Sequence, residues 1–313
     1  MAAALAMSTA CGTEQSAEAK NAPAKQRRAD RQRVTKHAAP AKRVAAKRAP
    51  AYDLTKDLEL RKKEASRLLG KRTRFHVVQK VFLVAGAPSM GRRFFGRSVS
   101  LTKRATHAYF NKRFAKRPAK AVSVYLFGNK RAYNKFCRKH HGGCGTPYGV
   151  YYHSPRRIVM NASPGLGTLT HELVHPIVET DFPNAPSWLN EGIASLFEYP
   201  YIPRKGEIHG KTNWRLPQLR RAHRTKAGRT RASLGRLFSM SDRDFRGRYE
   251  GLYYSMSRYL AQWLDSKKML WKFYQRWRDN YATDKSGAKA FKAVVGKTPA
   301  KANREWARWV KRL

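Results

Sequence analysis

An α+β fold is predicted, a small mixed β-sheet lobe followed by a mostly helical lobe. Before about residue 160, β-branched and alternating apolar runs interleave with helical patterns; from Thr168 onward every pattern repeats at helical spacing. With 313 residues, 42 % of them hydrophobic, and seven Trp, the chain can build one substantial domain, or two small ones, around a well-buried core.

The first helix is expected to begin near Asp53, where an acidic residue precedes Leu-Thr-Lys-Asp-Leu-Glu-Leu. Phe75 to Val84 is β-branched and reads as a strand, ended by the breakers Gly86, Pro88 and Gly91. A helix over Ser100 to Phe114 follows, then a strand over Ala121 to Phe127, whose apolar residues alternate, then a helix over Arg131 to Lys139. Val150 to His153 and Arg157 to Met160 flank Ser154-Pro155 and suggest a hairpin. Helices are expected from Thr168, over Trp188 to Phe197, Leu216 to His223, Tyr249 to Leu264 and Lys267 to Arg278, and finally over Ala302 to Leu313. That last helix puts Trp306, Trp309, Val310 and Leu313 on one face, for docking on the core or, as the alternative, for lying on a membrane surface as a basic amphipathic helix.

Charge is the second feature. The formal net charge is +46, from 66 basic and 20 acidic residues, and between Glu64 and Glu172 there is no Asp or Glu at all. Residues 20–52 form a basic Ala/Lys/Arg/Pro tract of a composition that cannot bury enough apolar surface to fold, and read as a disordered linker before a folded domain at 53–313. The excess positive charge implies nonspecific attraction to an anionic surface such as wall polymer, lipid or nucleic acid. No nucleic-acid-binding motif accompanies it, and aromatics do not alternate with basic residues on an evident sheet platform.

Residues 1–19 open with a run of small apolar residues, then Cys11, then a polar stretch, which resembles the tail of a bacterial lipoprotein signal with Cys11 the lipidated residue. An exported, envelope-located protein is the expectation, through this or another export signal, with a plain disordered N-terminus as the alternative. Cys137 and Cys144 then suit a local disulfide, with two free thiols, or a second metal site using His140 or His141, as alternatives.

The chemistry concentrates in His171-Glu172-Leu173-Val174-His175. Residues four apart share a helix face, so His171 and His175 can hold a single ion, while Glu172 points beside it and can take a proton from a water that the ion acidifies. Pro176 removes the backbone bond to the Glu172 carbonyl and should bend or end the helix there. Fifteen residues separate His175 from Glu191, which lies near the start of a helix that opens with Pro186 and Ser187 in Pro-Ser-Trp-Leu-Asn-Glu-Gly.

His-Glu-x-x-His followed by Trp-Leu-Asn-Glu-Gly-x-Ala-Ser resembles the gluzincin zinc peptidases of the MA superfamily, and closely their alanyl aminopeptidase branch, over about residues 150 to 260. The resemblance implies a thermolysin-like catalytic domain, one Zn2+ per chain on His171, His175 and Glu191, and Glu172 as general base acting on a peptide or protein substrate. Arg248-Tyr249-Glu250-Gly251 is similar to the family segment that carries an oxyanion-donating tyrosine, which implies that role for Tyr249; Tyr253 and Tyr254 lie one turn on. Glu198, on the same stripe as Glu191, is a candidate acceptor for a ligating histidine N–H, and Glu179 or Asp181 could serve likewise. The family's edge strand, which pairs with extended substrate, corresponds to Arg157 to Met160.

The aminopeptidase segment Gly-x-Met-Glu-Asn, which grips a free amine, has no counterpart in the acid-free stretch, and Gly86-Ala-Pro-Ser-Met90 does not replace it. Endopeptidase activity is therefore expected. The alternative is a cationic envelope- or polyanion-binding protein whose zinc site is structural or relict.

Overall fold

Asp53 caps the first helix, α1 (Leu54–Leu69), accepting the Lys56 N–H at 3.0 Å. The computed structural model describes residues 51–313, which form one compact unit. The expected signal with Cys11, and the basic tract up to residue 50, lie outside the described residues. Tyr52, assigned to that tract, belongs to the fold: its hydroxyl donates to Asp57 at 2.6 Å and accepts the Ala121 N–H at 2.8 Å.

The single strand expected over Phe75 to Val84 is instead an antiparallel pair, β1 (Arg74–Val78) and β2 (Phe82–Gly86). Gln79 and Lys80 turn the chain with φ of 52° and 60°, closed by the Val81 N–H on the Val78 carbonyl. Two successive left-handed residues suit a twisted hairpin, but here without the Asn-Gly pair that advertises one. α2 (Arg92–Phe110) starts well before Ser100, with Gly91 at its N-cap. β3 (Val122–Phe127), α3 (Lys130–His141), β4 (Gly149–Tyr152) and β5 (Arg157–Asn161) follow as expected within a few residues.

The strands are ordered β1-β2-β3-β5-β4; β2, β3 and β5 are parallel, and β1 and β4 are antiparallel edges. Both faces of the middle strands are covered, as parallel strands require. Ala85, Tyr125 and Val159 pack with Ala65 of α1 and Tyr133 and Phe136 of α3. Val84, Val124, Ile158 and Met160 face α2 and share a core with the helices that follow. The expectation that Arg157 to Met160 forms an edge is thus corrected: β5 is interior, and β4 is the open edge on that side.

Cys137 and Cys144 are joined as a disulfide at the end of α3, with Cα atoms 5.0 Å apart. His140 packs on Phe136 and His141 stacks on Tyr152 at 3.9 Å between rings, so neither histidine turns to a second metal site.

The helical part comprises α4 (Gly167–Glu172), α5 (Val174–Asp181), α6 (Ser187–Leu196), the hairpin β6 (Pro200–Tyr201) and β7 (His209–Gly210), α7 (Leu216–Ala222), α8 (Lys226–Arg231), α9 (Leu234–Phe238), α10 (Asp242–Phe245), α11 (Glu250–Ser266), α12 (Leu270–Asp279), α13 (Ala288–Val295) and α14 (Pro299–Arg312). α8, α9, α10 and the hairpin strands, each of six residues or fewer, went unpredicted because none is long enough to show a periodicity, and the eight-residue α13 went unpredicted as well. α6 crosses α11 at Gly192, where an added Cβ would lie 2.9 Å from the Ser257 carbonyl oxygen; only glycine lets the two helices approach so closely.

α14 docks through three of the four expected residues: Trp306 and Val310 are fully buried and Trp309 packs against the same core, whereas Leu313 lies past the helix end and is exposed. Trp306→Ala should therefore cost about 3–5 kcal/mol in a denaturant titration, the cost of emptying a large core site. A loss below about 1 kcal/mol would show that α14 is not integral to the core.

Candidate metal centre

The expected Pro176 effect is visible in the helix that carries the motif. α4 ends at Glu172 and α5 starts at Val174, but Leu173 between them keeps helical dihedrals of φ −64° and ψ −22°. The hydrogen-bond ladder is interrupted without a change of direction. His171 and His175 consequently stay on one face, ring centres 4.9 Å apart.

α6 packs against α4 and α5 and delivers Glu191 to that face. Glu191 Oε2 lies 3.5 Å from His171 Nε2 and 4.0 Å from His175 Nε2, and one ligand atom from each residue falls within 4.8 Å of the others. Atoms sharing a tetrahedral ion at ~2.0–2.1 Å sit roughly 3.4 Å apart, so the cluster needs little closure to hold zinc. Glu191 Oε2 is buried without a hydrogen bond, as a carboxylate oxygen reserved for a cation would be. Two imidazoles and a carboxylate form a donor set of the zinc type. Among the described residues no other trio of His, Cys, Asp or Glu converges in this way.

Surrounding residues hold this geometry. His175 Nδ1 lies 3.0 Å from Asn190 Oδ1, which fixes the proton on Nδ1 and frees Nε2 toward the cluster. His171 Nδ1 faces Glu198 Oε1 at 3.5 Å, and Glu198 is gripped by Arg215 at 2.7 and 2.9 Å and by Asn213 at 3.0 Å. Arg246 donates to Glu191 Oε1 at 2.7 Å, leaving the other oxygen to the histidines. Glu179 and Asp181 do not take part: Glu179 accepts from the Tyr151 hydroxyl, and Asp181 holds Arg278 and the Lys116 N–H.

The electrostatics also favour a cation. Burial alone would lower His171, but Glu191, Glu172 and Glu198 hold it up to about 9. Burial lowers His175 to about 4. Burial would raise Glu191, but His175, His171 and Arg246 hold it well below the usual carboxylate range.

Glu172 is buried with Oε2 4.0 Å from His175 Nε2. Burial pushes its carboxyl up to about 7, against the pull of His171 and of a hydrogen bond from the Tyr151 backbone N–H. That bond comes from the edge strand. The Asn161 N–H on the Tyr148 carbonyl sets the β4–β5 alternation, so Gly149 and Tyr151 turn their backbone groups away from β5. Gly149 is occupied by the Thr146 hydroxyl, whereas the Tyr151 N–H reaches Glu172.

Tyr249 stands at the N-cap of α11, its ring under Arg231 and Arg248 and edge-on to Tyr253. Tyr254 is the one beside the cluster: its hydroxyl accepts from Arg246 at 2.5 Å, and burial, then the Glu191 charge, raise its pKa. Asn190, Arg246 and Tyr151 were not foreseen as participants. Asn190 had a signal, its place beside Glu191 at the start of α6; Arg246 and Tyr151 reach the site only through tertiary packing. No family model matches this chain, and no curated protein matches it.

Proposed function

We propose that this chain is a zinc-dependent peptidase of the gluzincin type, acting as an endopeptidase. The observation that carries the reading is the convergence of His171, His175 and Glu191 with buried Glu172 alongside. When bound there, zinc supplies Lewis acidity, making water acidic near neutral pH and polarising the scissile carbonyl. Glu172 takes a proton from the attacking water and passes it to the leaving amine. Tyr254 donates to the oxyanion as charge develops. Asn190 and Glu198 orient the two histidines, and Arg246 orients Glu191.

On the outer edge of β4 the Tyr151 carbonyl is the backbone group left over beside Glu172, a single point at which an extended peptide can pair. Gly149-Val-Tyr-Tyr152 carries no carboxylate with which to hold a free amine, which favours internal cleavage. The Cys137–Cys144 disulfide favours an oxidising compartment and so export.

Zinc-replete protein is expected to hold about one ion per chain, to lose it in His175→Ala, and to cut an unstructured protein substrate at internal bonds, read by mass spectrometry. Less than about half an equivalent of zinc would defeat the site. Full zinc without turnover on any peptide library would favour a relict centre in a cationic, polyanion-binding envelope protein.

A further inference from the structure

A second concavity, formed where α2 meets the β1–β2 turn and the β6–β7 loop, encloses about 510 Å³ and is lined by Gln79, Lys103, Arg104, His107, Arg204 and Lys205, with Gly206 at its wall. That volume suits a small ligand. No lining residue is a carboxylate. The nearby Glu207 is taken by a hydrogen bond from Arg204, and three of the lining cations or potential cations come from α2, within the acid-free stretch.

The wall is fixed in place. Buried Arg113 donates to the carbonyls of Ala108, Gly206 and Ile208 at 2.8, 3.0 and 3.4 Å, tying the β6–β7 loop to the end of α2. Arg104 donates to the Ile202 carbonyl and Asn111 to that of Gly206. Gly206 has φ +84°, and a Cβ there would lie 2.7 Å from Asn111, so the loop can close this tightly only with glycine. Loop and helix thus fix the backbone that carries Lys103, His107, Lys205 and Arg104 around one space, with these side chains exposed along it. Like charges gathered without a counterion repel, and a multiply charged anion would relieve that repulsion.

We infer that this pocket is a binding site for a phosphate-bearing ligand carrying two or more negative charges. The inference does not depend on the peptidase reading.

Inorganic pyrophosphate is the probe, on the full chain, with lysine acetylation read residue by residue. Pyrophosphate should protect Lys103 and Lys205 and leave Lys56 and Lys63 unprotected; these last two are exposed on α1, across the sheet. Because the readout is local, the basic N-terminal tract does not obscure it. Lys103→Ala with Lys205→Ala should weaken protection of His107, read by diethylpyrocarbonate, by about a hundredfold, since each of the two lost charged donors removes about a factor of ten. Lys56→Ala with Lys63→Ala should leave it within about twofold, as expected for exposed charges remote from the ligand. Equal protection of all four lysines, or equal weakening by both double variants, would reduce the site to net charge and overturn the inference; absence of saturable protection would do the same. Vesicles of phosphatidic acid, whose phosphomonoester headgroup can carry two charges, separate the sources. Protection by vesicles that pyrophosphate competes away assigns the phosphate to a lipid headgroup, and protection by pyrophosphate alone assigns it to a free ligand.

Discussion

Glu172→Gln is expected to lower peptide-bond cleavage by about 10²- to 10⁴-fold, the range in which a positioned general base contributes, with zinc content unchanged. The substitution keeps the shape of the side chain, and its amide oxygen can still accept the Tyr151 N–H that restrains Glu172. It removes the capacity to take a proton. The metal should stay because none of its three expected ligands is altered, although Glu172 Oε2 is only 4.0 Å from His175 Nε2. Kinetics with one internally quenched peptide, alongside metal analysis, test both parts. Turnover equal to the unsubstituted protein would remove Glu172 from the chemistry, and loss of zinc would make it a ligand instead of a base.

How far the site was legible follows from which contacts are local. His171, Glu172 and His175 share helix turns, so their common face could be read from spacing alone, and even the interruption at Pro176 was foreseeable from a missing N–H. Glu191 was legible because its helix announces itself with Pro186 and Ser187 and returns after a short turn. The edge strand was misassigned because strand order is a property of the sheet: residues 149–152 and 157–161 read alike in sequence, and only pairing with β3 puts the second inside. The turn at Gln79 and Lys80 was hidden for a different reason, since residues that rarely adopt positive φ carry no turn signal. Arg246 and Tyr151 touch the metal cluster across long sequence separations. Nothing in their own neighbourhoods marks them.

Tyr254→Phe is expected to reduce kcat by about 10²- to 10³-fold, the usual effect of deleting one oxyanion donor, while Tyr249→Phe stays within severalfold. The comparison matters because motif resemblance points to Tyr249 and geometry to Tyr254. The Tyr254 hydroxyl accepts from Arg246, so its own proton is left over to donate, and burial with the Glu191 charge keeps that proton on oxygen at working pH. Tyr249 is instead committed to Arg231 and Arg248 through its ring. Phenylalanine at 254 retains the ring that packs on Phe245 and lies under Arg215, so the fold and the Arg215–Glu198 pair should survive. Since a transition-state donor contributes little to ground-state binding, KM should change far less than kcat. The reverse result, a large loss in Tyr249→Phe and none in Tyr254→Phe, would mean that α11 shifts in register when substrate binds, bringing its N-cap residue to the oxyanion.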